Sequence, residues 1–418
     1  MDPRDAGQHH RHTSLMDDEY KAITATLHAF VTFHQWQHEQ VLKPKSIKWK
    51  LLSNDEQQLL DFYPLLIRDL GQCIDINRLF TELLAVTAAQ DWGIDPNPSA
   101  WAPAAYSDYD KVRSTLLQFA REWSDEGIGE REQTFGRLLD KVCDLYGEEN
   151  RDKVKVLVPG CGLGRLVYEF VKRGFWTQGN EVSYHMLLAL GFVLNHTLVP
   201  HSHTIFPYIH RLSHLARRLY QVRPVQMPDE SGMSIFSGNP EEDAKVGELM
   251  SMAAGSFVDL YGPPGLAESE TYSLDATASQ FRSENANRFD VVATCFFVDT
   301  ASNIIDYLKS IHHCLKDDGV WVNIGPLHWH FEGDLSTSVV KKVMEHGKEP
   351  LEVLTTLEGL ELSREELFLL MDKIGFDVEH HESGIQTTYS TDTKALLNFS
   401  YHVEFWVARK RTSVSTQA

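Results

Sequence analysis

The chain has 418 residues, 42% of them hydrophobic, and carries a formal charge of −20 at neutral pH. It is long enough for two lobes, or for one domain with a large extension. Its negative balance argues against a broad nucleic-acid footprint, and no apolar run reaches the roughly eighteen residues of a membrane span.

Residues 1–18 read as a disordered tail without the apolar segment of a signal peptide, and the tract His9-His10-Arg11-His12 reads as solvated rather than metal-binding. Residues 19–150 read as a helical region. Ile23, Leu27, Phe30 and His34 keep helical spacing, and Leu59, Leu60, Leu65 and Leu66 do so around a break at Pro64. Asp75 to Ala89 is a further apolar-faced helix, and Asp95 to Pro103 a Pro-rich linker or ordered loop. Val112, Leu116, Phe119 and Trp123 then stripe a helix from Asp108 to Asp125.

From Val154 short β runs alternate with helices, the rhythm of an α/β, doubly wound, Rossmann-like sheet. Strands are predicted at 154–158, 175–179, 222–226, 289–296, 319–325, 374–380 and 401–409, within a domain spanning 151–411. The last strand follows closely on an extended stretch, Ile385 to Tyr389, with a short helix or turn between. Two polar segments, about 228–250 and 262–288, read as surface insertions, and 412–418 as a tail. Cys73, Cys143, Cys161, Cys295 and Cys314 lack C-x-x-C spacing, which fits a reducing compartment and argues against a zinc site. A cytoplasmic setting follows, with the nucleus as the alternative, and no metal is expected.

The most informative stretch runs from Val156 to Arg165. An apolar strand enters Gly160, Gly162 and Gly164, then a helix with Leu163, Leu166, Val167, Phe170 and Val171 on its apolar positions. Glycines belong where backbone turns sharply and a ligand approaches closely. Glu181 follows at the end of the next strand, placed to accept hydrogen bonds from ribose hydroxyls. Dinucleotide sites use G-x-G-x-x-G and P-loops use G-x-x-x-x-G-K-[ST]. The spacing here is G-x-G-x-G, with a single nucleoside-binding half, which favours S-adenosyl-L-methionine over a dinucleotide or a phosphate.

Ligands of an open parallel sheet bind beyond the carboxyl ends of its strands. Asp299 follows the strand 289–296, and His328 and His330 follow the strand 319–325, so all three project from that edge. Methyl transfer needs an oriented acceptor with a free lone pair. A carboxylate that accepts one ring N–H of an imidazole leaves the other nitrogen free and stabilises the cation that forms. The competing assignment for Asp299 is N-cap of a helix over 300–315, and for the two histidines, packed or solvated side chains.

With these residues in place the chain resembles the carnosine N-methyltransferase family. The resemblance runs from about Tyr106 to Arg409 and is carried by Asp110–Leu116, Gln118–Ser124, Val158–Arg165, Gly179–Ser183, Ala293–Thr300, Asn323–Pro326 and His330-Phe331. It implies a class I methyltransferase sheet with an N-terminal helical extension, a sheet that a terminal antiparallel strand at 401–409 fits, and methylation of the imidazole of carnosine, or of a related histidine dipeptide, to anserine. It also implies that Gln118 and Arg121 cover the cofactor, that Gly160 and Glu181 bind it, that Asp299 and His330 form the imidazole-binding pair, and that Tyr401 faces the substrate. The chain departs from the family pattern at three places. Ser256 with Phe257 stands where the family has Asp-Phe near the adenine, Val291 replaces a cysteine near the cofactor, and Asn398-Phe-Ser-Tyr401 replaces a run of tyrosines. The resemblance further implies pairing of two subunits. Methylation of a histidine within a protein is the alternative reaction, and a scaffold without turnover the alternative from another class. Neither nucleic acid nor membrane is expected as a partner.

Overall fold

Runs of β-branched and aromatic residues at Lys155–Pro159, Phe289–Cys295 and Tyr401–Lys410 form strands because such side chains pack well on a pleated surface buried on both faces. In the computed structural model, which describes residues 3–264, 266, 276–333, 338–342, 351–355 and 359–412, the chain divides into two units. One comprises Met1–Gly129, Ser183–Ser234 and Tyr389–Phe399, and the other Glu130–Val182, Ile235–Thr388 and Ser400–Ala418. The side chains of the histidine tract 9–12 and residues 413–418 of the C-terminal tail lie outside the described residues.

The second unit is built on seven strands: β1 (Lys155–Pro159), β2 (Trp176–Glu181), β3 (Met250–Ala254), β4 (Phe289–Cys295), β5 (Leu315–Gly325), β6 (Phe376–Thr387) and β7 (Tyr401–Lys410). Their order across the sheet is β6-β7-β5-β4-β1-β2-β3. β3, β2, β1, β4 and β5 run parallel, and β7 is inserted antiparallel between β5 and β6. The doubly wound architecture expected from the sequence is therefore present, including the antiparallel last strand. Its chain order reverses between β1 and β4, which opens a crevice at their carboxyl ends. Beneath it Trp321 and Trp406 meet edge-to-face at 5.3 Å, among Leu157, Val292, Leu308 and Met371, all fully buried.

Two expectations about this sheet are corrected. The strand predicted at 222–226 is Val225–Met227, and it pairs antiparallel with His203–Ile205 in the first unit, not in the central sheet. The strand beside β2 is instead Met250–Ala254, which begins where the expected insertion 228–250 ends, just after a helix at Pro240–Glu248. The second segment, 262–288, holds a helix at Ala276–Asn285, and its residues 265 and 267–275 lie outside the described residues. The stretch Ile385 to Tyr389 is not a separate element up to Thr387. It continues β6, across register shifts at Val378/His380 and Glu382/Ile385.

The first unit is helical, with principal helices Pro3–Gln37, Tyr63–Asp91, Tyr106–Glu122 and Tyr184–His196. The break expected at Pro64 lies at 60–62, between the helices Asn54–Leu59 and Tyr63–Asp91, and Pro64 stands just after it. The proline sits in the first turn of Tyr63–Asp91, where its missing N–H is no loss. That helix buries Leu66, Leu70, Ile74, Asn77, Phe80, Thr81 and Leu84 at spacings of three and four. Asn77 holds Phe206 with both ends of its amide, Nδ2 donating to the Phe206 carbonyl at 3.1 Å and Oδ1 accepting its N–H at 2.7 Å.

Candidate functional site

The glycine turn has the backbone that the sequence asked of it. Gly160, Gly162 and Gly164 have φ of 62°, 57° and 76°, a region that costs other residues strain. At Gly160 space is limiting too: a Cβ there would lie 2.5 Å from Cδ2 of Phe297. Glu181 ends β2 with its carboxylate across the turn. Oε2 accepts the Gly162 N–H at 3.0 Å and Oε1 the Val182 N–H at 2.8 Å. A carboxylate has about four lone-pair positions, so bracing the turn is compatible with accepting ribose hydroxyls. Asn180, passed over in the sequence, is buried beside it and donates to the carbonyls of Ala253 and Gly255 at 3.1 and 2.9 Å. It thereby ties the end of β2 to the end of β3.

Beyond β3, Ser256 caps the short helix Phe257–Tyr261, its Oγ accepting the Asp259 N–H. Phe257 is buried and meets Phe297 edge-to-face at 5.4 Å, while Phe297 stacks on Tyr307 at 4.8 Å. Phe297 and Tyr307, which carry no motif signal in the sequence, thus form one aromatic wall with Phe257 beside Gly160. Val291 does not stand at this edge. It is fully buried in β4, paired with Val156 and Val320, four residues before the strand ends at Cys295. At about 3.3 Å per residue that is a core position.

Asp299 lies in a single turn of 3₁₀ helix, Val298–Thr300, at the crevice edge of β4. It does not cap the following helix, which runs Ile304–Cys314 and is capped by Asn303, whose side chain accepts the Ile305 N–H at 3.0 Å. The carboxylate is buried, 3% exposed, and Oδ2 accepts the His328 N–H at 3.2 Å. Its main-chain carbonyl accepts the His330 N–H at 3.0 Å. Burial pushes the Asp299 pKa up to about 6, against the opposing pull of the hydrogen bonds and of His328. The His330 ring is held below the usual imidazole value by partial burial and by the nearby His328, although the residue as a whole is exposed.

Tyr401 opens β7, and its ring lies edge-on to Phe296 at 5.7 Å and 6.3 Å from the ring of His328. Phe296 itself has φ of 52°, uncommon for a bulky residue and found where surrounding structure over-determines the backbone, often at functional edges. The structure thus brings Gly160, Gly162, Gly164, Glu181, Ser256, Phe257, Asp299, His330 and Tyr401 to the carboxyl-end side of one sheet.

Gln118 and Arg121 belong to the helical unit, one turn apart on Tyr106–Glu122, and both are buried. The Gln118 amide donates to Glu122 at 2.7 Å and accepts from Ser390 Oγ at 3.0 Å. The Arg121 guanidinium lies 4.6 Å over the ring of Tyr389 and 3.7 Å from the Glu122 carboxylate. Glu122 lies within the stretch Gln118–Ser124 already noted, one turn beyond Gln118, whereas Tyr389 and Ser390 have no signal in the linear pattern, because only folding brings 389–390 beside this helix.

Residues 98–412 match the family model described as "Carnosine N-methyltransferase". A carnosine N-methyltransferase of Schizosaccharomyces pombe is 34% identical over 95% of this chain and 98% of its own length. One of Mus musculus is 30% identical, over 92% and 84%. Among solved structures, a glycopeptide N-methyltransferase complexed with sinefungin is similar with a TM-score of 0.33 and 11% identity, covering 66% of this chain and 85% of that one.

Proposed function

This chain belongs to the carnosine N-methyltransferase family, and we propose from that premise that it moves a methyl group from S-adenosylmethionine to the imidazole of carnosine, giving anserine and S-adenosylhomocysteine. The residues at the crevice suit such a cofactor. The left-handed glycine turn brings backbone without side chains to the end of β1, where a Cβ on Gly160 would collide with Phe297, and Glu181 supplies a carboxylate at the end of β2, the place where such sheets grip a ribose. When bound, S-adenosylmethionine supplies an electrophilic methyl group on a sulfonium. Ser256 and Phe257 serve the adenine side of this reading, and Gln118 and Arg121 serve the cofactor by family resemblance.

The protein's own work is to hold the acceptor ring. Asp299 accepts a hydrogen bond from one ring N–H, which fixes the tautomer and leaves the other nitrogen's lone pair available. Its negative charge then stabilises the imidazolium that forms. His330, whose neutral form is favoured by partial burial and by the nearby His328, offers a ring nitrogen to the dipeptide without adding a second cation beside the nascent one. Tyr401 walls the substrate side. The observation that carries the reading is the buried Asp299 carboxylate, tied to the very loop that bears His328 and His330. Five free cysteines suit a reducing compartment such as the cytosol, while the pairing of two copies rests on the resemblance alone.

Calorimetric titration with S-adenosylhomocysteine should give clear heat, and labelled methyl donor should label carnosine. Asp299→Ala should keep cofactor affinity within a few-fold yet lose turnover by about 10²–10³, on the order of 2–4 kcal/mol at the transition state. Turnover that survives Asp299→Ala, or label that enters protein histidine and not the dipeptide, would overturn the reading.

A further inference from the structure

The histidine-bearing segment 326–331 contains no strand or helix, so its shape must be imposed by side chains and by single hydrogen bonds. Two ties reach Asp299, from the N–H groups of His328 and His330. The third is Trp329. It lies between two exposed histidines yet is itself buried, packed with the cluster that includes Leu308, Leu367 and Met371. Its indole Nε1 donates to the Leu362 carbonyl at 3.0 Å. A buried indole N–H needs such a partner, and this partner is rigidly mounted. Leu362 directly precedes Ser363, which caps the helix Arg364–Ile374 through a reciprocal box: the Ser363 N–H meets Glu366 Oε2 at 2.8 Å, and the Glu366 N–H meets Ser363 Oγ at 3.3 Å. The same return segment meets the crevice a second time, where the Gly359 N–H donates to the Ser302 carbonyl at 2.7 Å.

Burial alternates along the segment, with His328 exposed, Trp329 buried and His330 exposed, and a turn closed by the Glu332 N–H on the Trp329 carbonyl at 3.1 Å follows directly. A slip by one residue would bury a histidine and expose the indole. We infer that Trp329 is a positioning residue for methyl transfer, whose hydrogen bond to Leu362 sets the register in which His328 and His330 meet Asp299. The inference rests on the reading that Asp299 and His330 hold the acceptor ring. A misplacement of the order of 1 Å in such a group can cost up to ~10²-fold in rate.

Trp329→Phe in the full-length enzyme keeps an aromatic ring and removes the donor. The turnover number for carnosine should fall about ten-fold or more and its KM should rise, while S-adenosylhomocysteine affinity stays at the wild-type value. A variant that melts earlier but shows unchanged turnover and KM would reduce Trp329 to a packing residue and overturn the inference. Should W329F not fold, amide hydrogen exchange on the unaltered enzyme decides: the His328 and His330 amides should exchange far more slowly than in unstructured peptide, and fast exchange at both would overturn it. Asp299→Ala, run in parallel, separates the two levels. If it is active, the functional reading fails; if it is dead while W329F is kinetically silent, only the positioning role falls.

Discussion

A buried carboxylate near a forming cation has two opposed demands on it, and Asp299 shows both. Burial favours its neutral form and lifts its pKa to about 6, yet the proposed chemistry needs the anion. Asp in an unfolded chain titrates near 3.9, so between about pH 4 and pH 6 the folded protein holds a proton that the unfolded chain has released. Stability from this group is then greatest at acid pH and declines as pH rises through that window, levelling off above it. The total is on the order of 3 kcal/mol. Asp299→Asn carries no such slope. Denaturant unfolding at pH 4.5 and 7.5 should show wild type losing ground to the Asn variant as pH rises, and the opposite trend would mean a carboxylate ionised at low pH. Turnover should run the other way, with an acid limb near pH 6 as the carboxylate protonates.

Elements whose chemistry is local were legible in the sequence, and those defined by distant partners were not. β1, the glycine turn, β2 and Glu181 declared themselves because period, glycine spacing and an acid at a strand end all act within a short span of chain. β3 did not, because Met250-Ser-Met-Ala-Ala contains no β-branched residue and follows an acidic helix. Asp299 could not be told from an N-cap until Asn303 was seen to cap the helix. Phe297 also read as one apolar residue among many, although its ring closes over Gly160 and links the turn to Phe257 and Tyr307. That link makes the turn testable as an element. Gly160→Ala combines a left-handed φ, which costs roughly 1–2 kcal/mol, with a Cβ driven into Phe297. It should lower S-adenosylhomocysteine affinity at least about ten-fold, a loss of ~1.4 kcal/mol, with circular dichroism little changed. Calorimetry that finds Gly160→Ala binding as wild type would show that the turn does not touch the cofactor.

At the scale of the whole molecule, the chain passes between its two units five times, at 129/130, 182/183, 234/235, 388/389 and 399/400. Each returning segment of the helical unit is bound there by its own chemistry. Arg223 donates to both oxygens of Glu126 at 3.1 Å, pairs with the buried Asp392 at 2.8 Å and lies 3.6 Å over the ring of Tyr208, which ties 183–234 and 389–399 to the N-terminal helices. Phe206 and Ile209 pack with Leu66, Leu70 and Ile74 of the helix Tyr63–Asp91. A linear scan for domain borders has no signal for this, since it sees composition and not partners. The consequence is that the N-terminal helices are no detachable accessory. A chain shortened to residues 130–418 would uncover Phe206 and Ile209, at a cost of roughly 3–6 kcal/mol for two such side chains, comparable to the ~5–15 kcal/mol that stabilises a whole protein. It would also leave Arg223 and Asp392 without Glu126. Size-exclusion chromatography should find this shortened chain aggregated, and a soluble monomer with native S-adenosylhomocysteine affinity would show that segments 183–234 and 389–399 hold their fold without the first 129 residues.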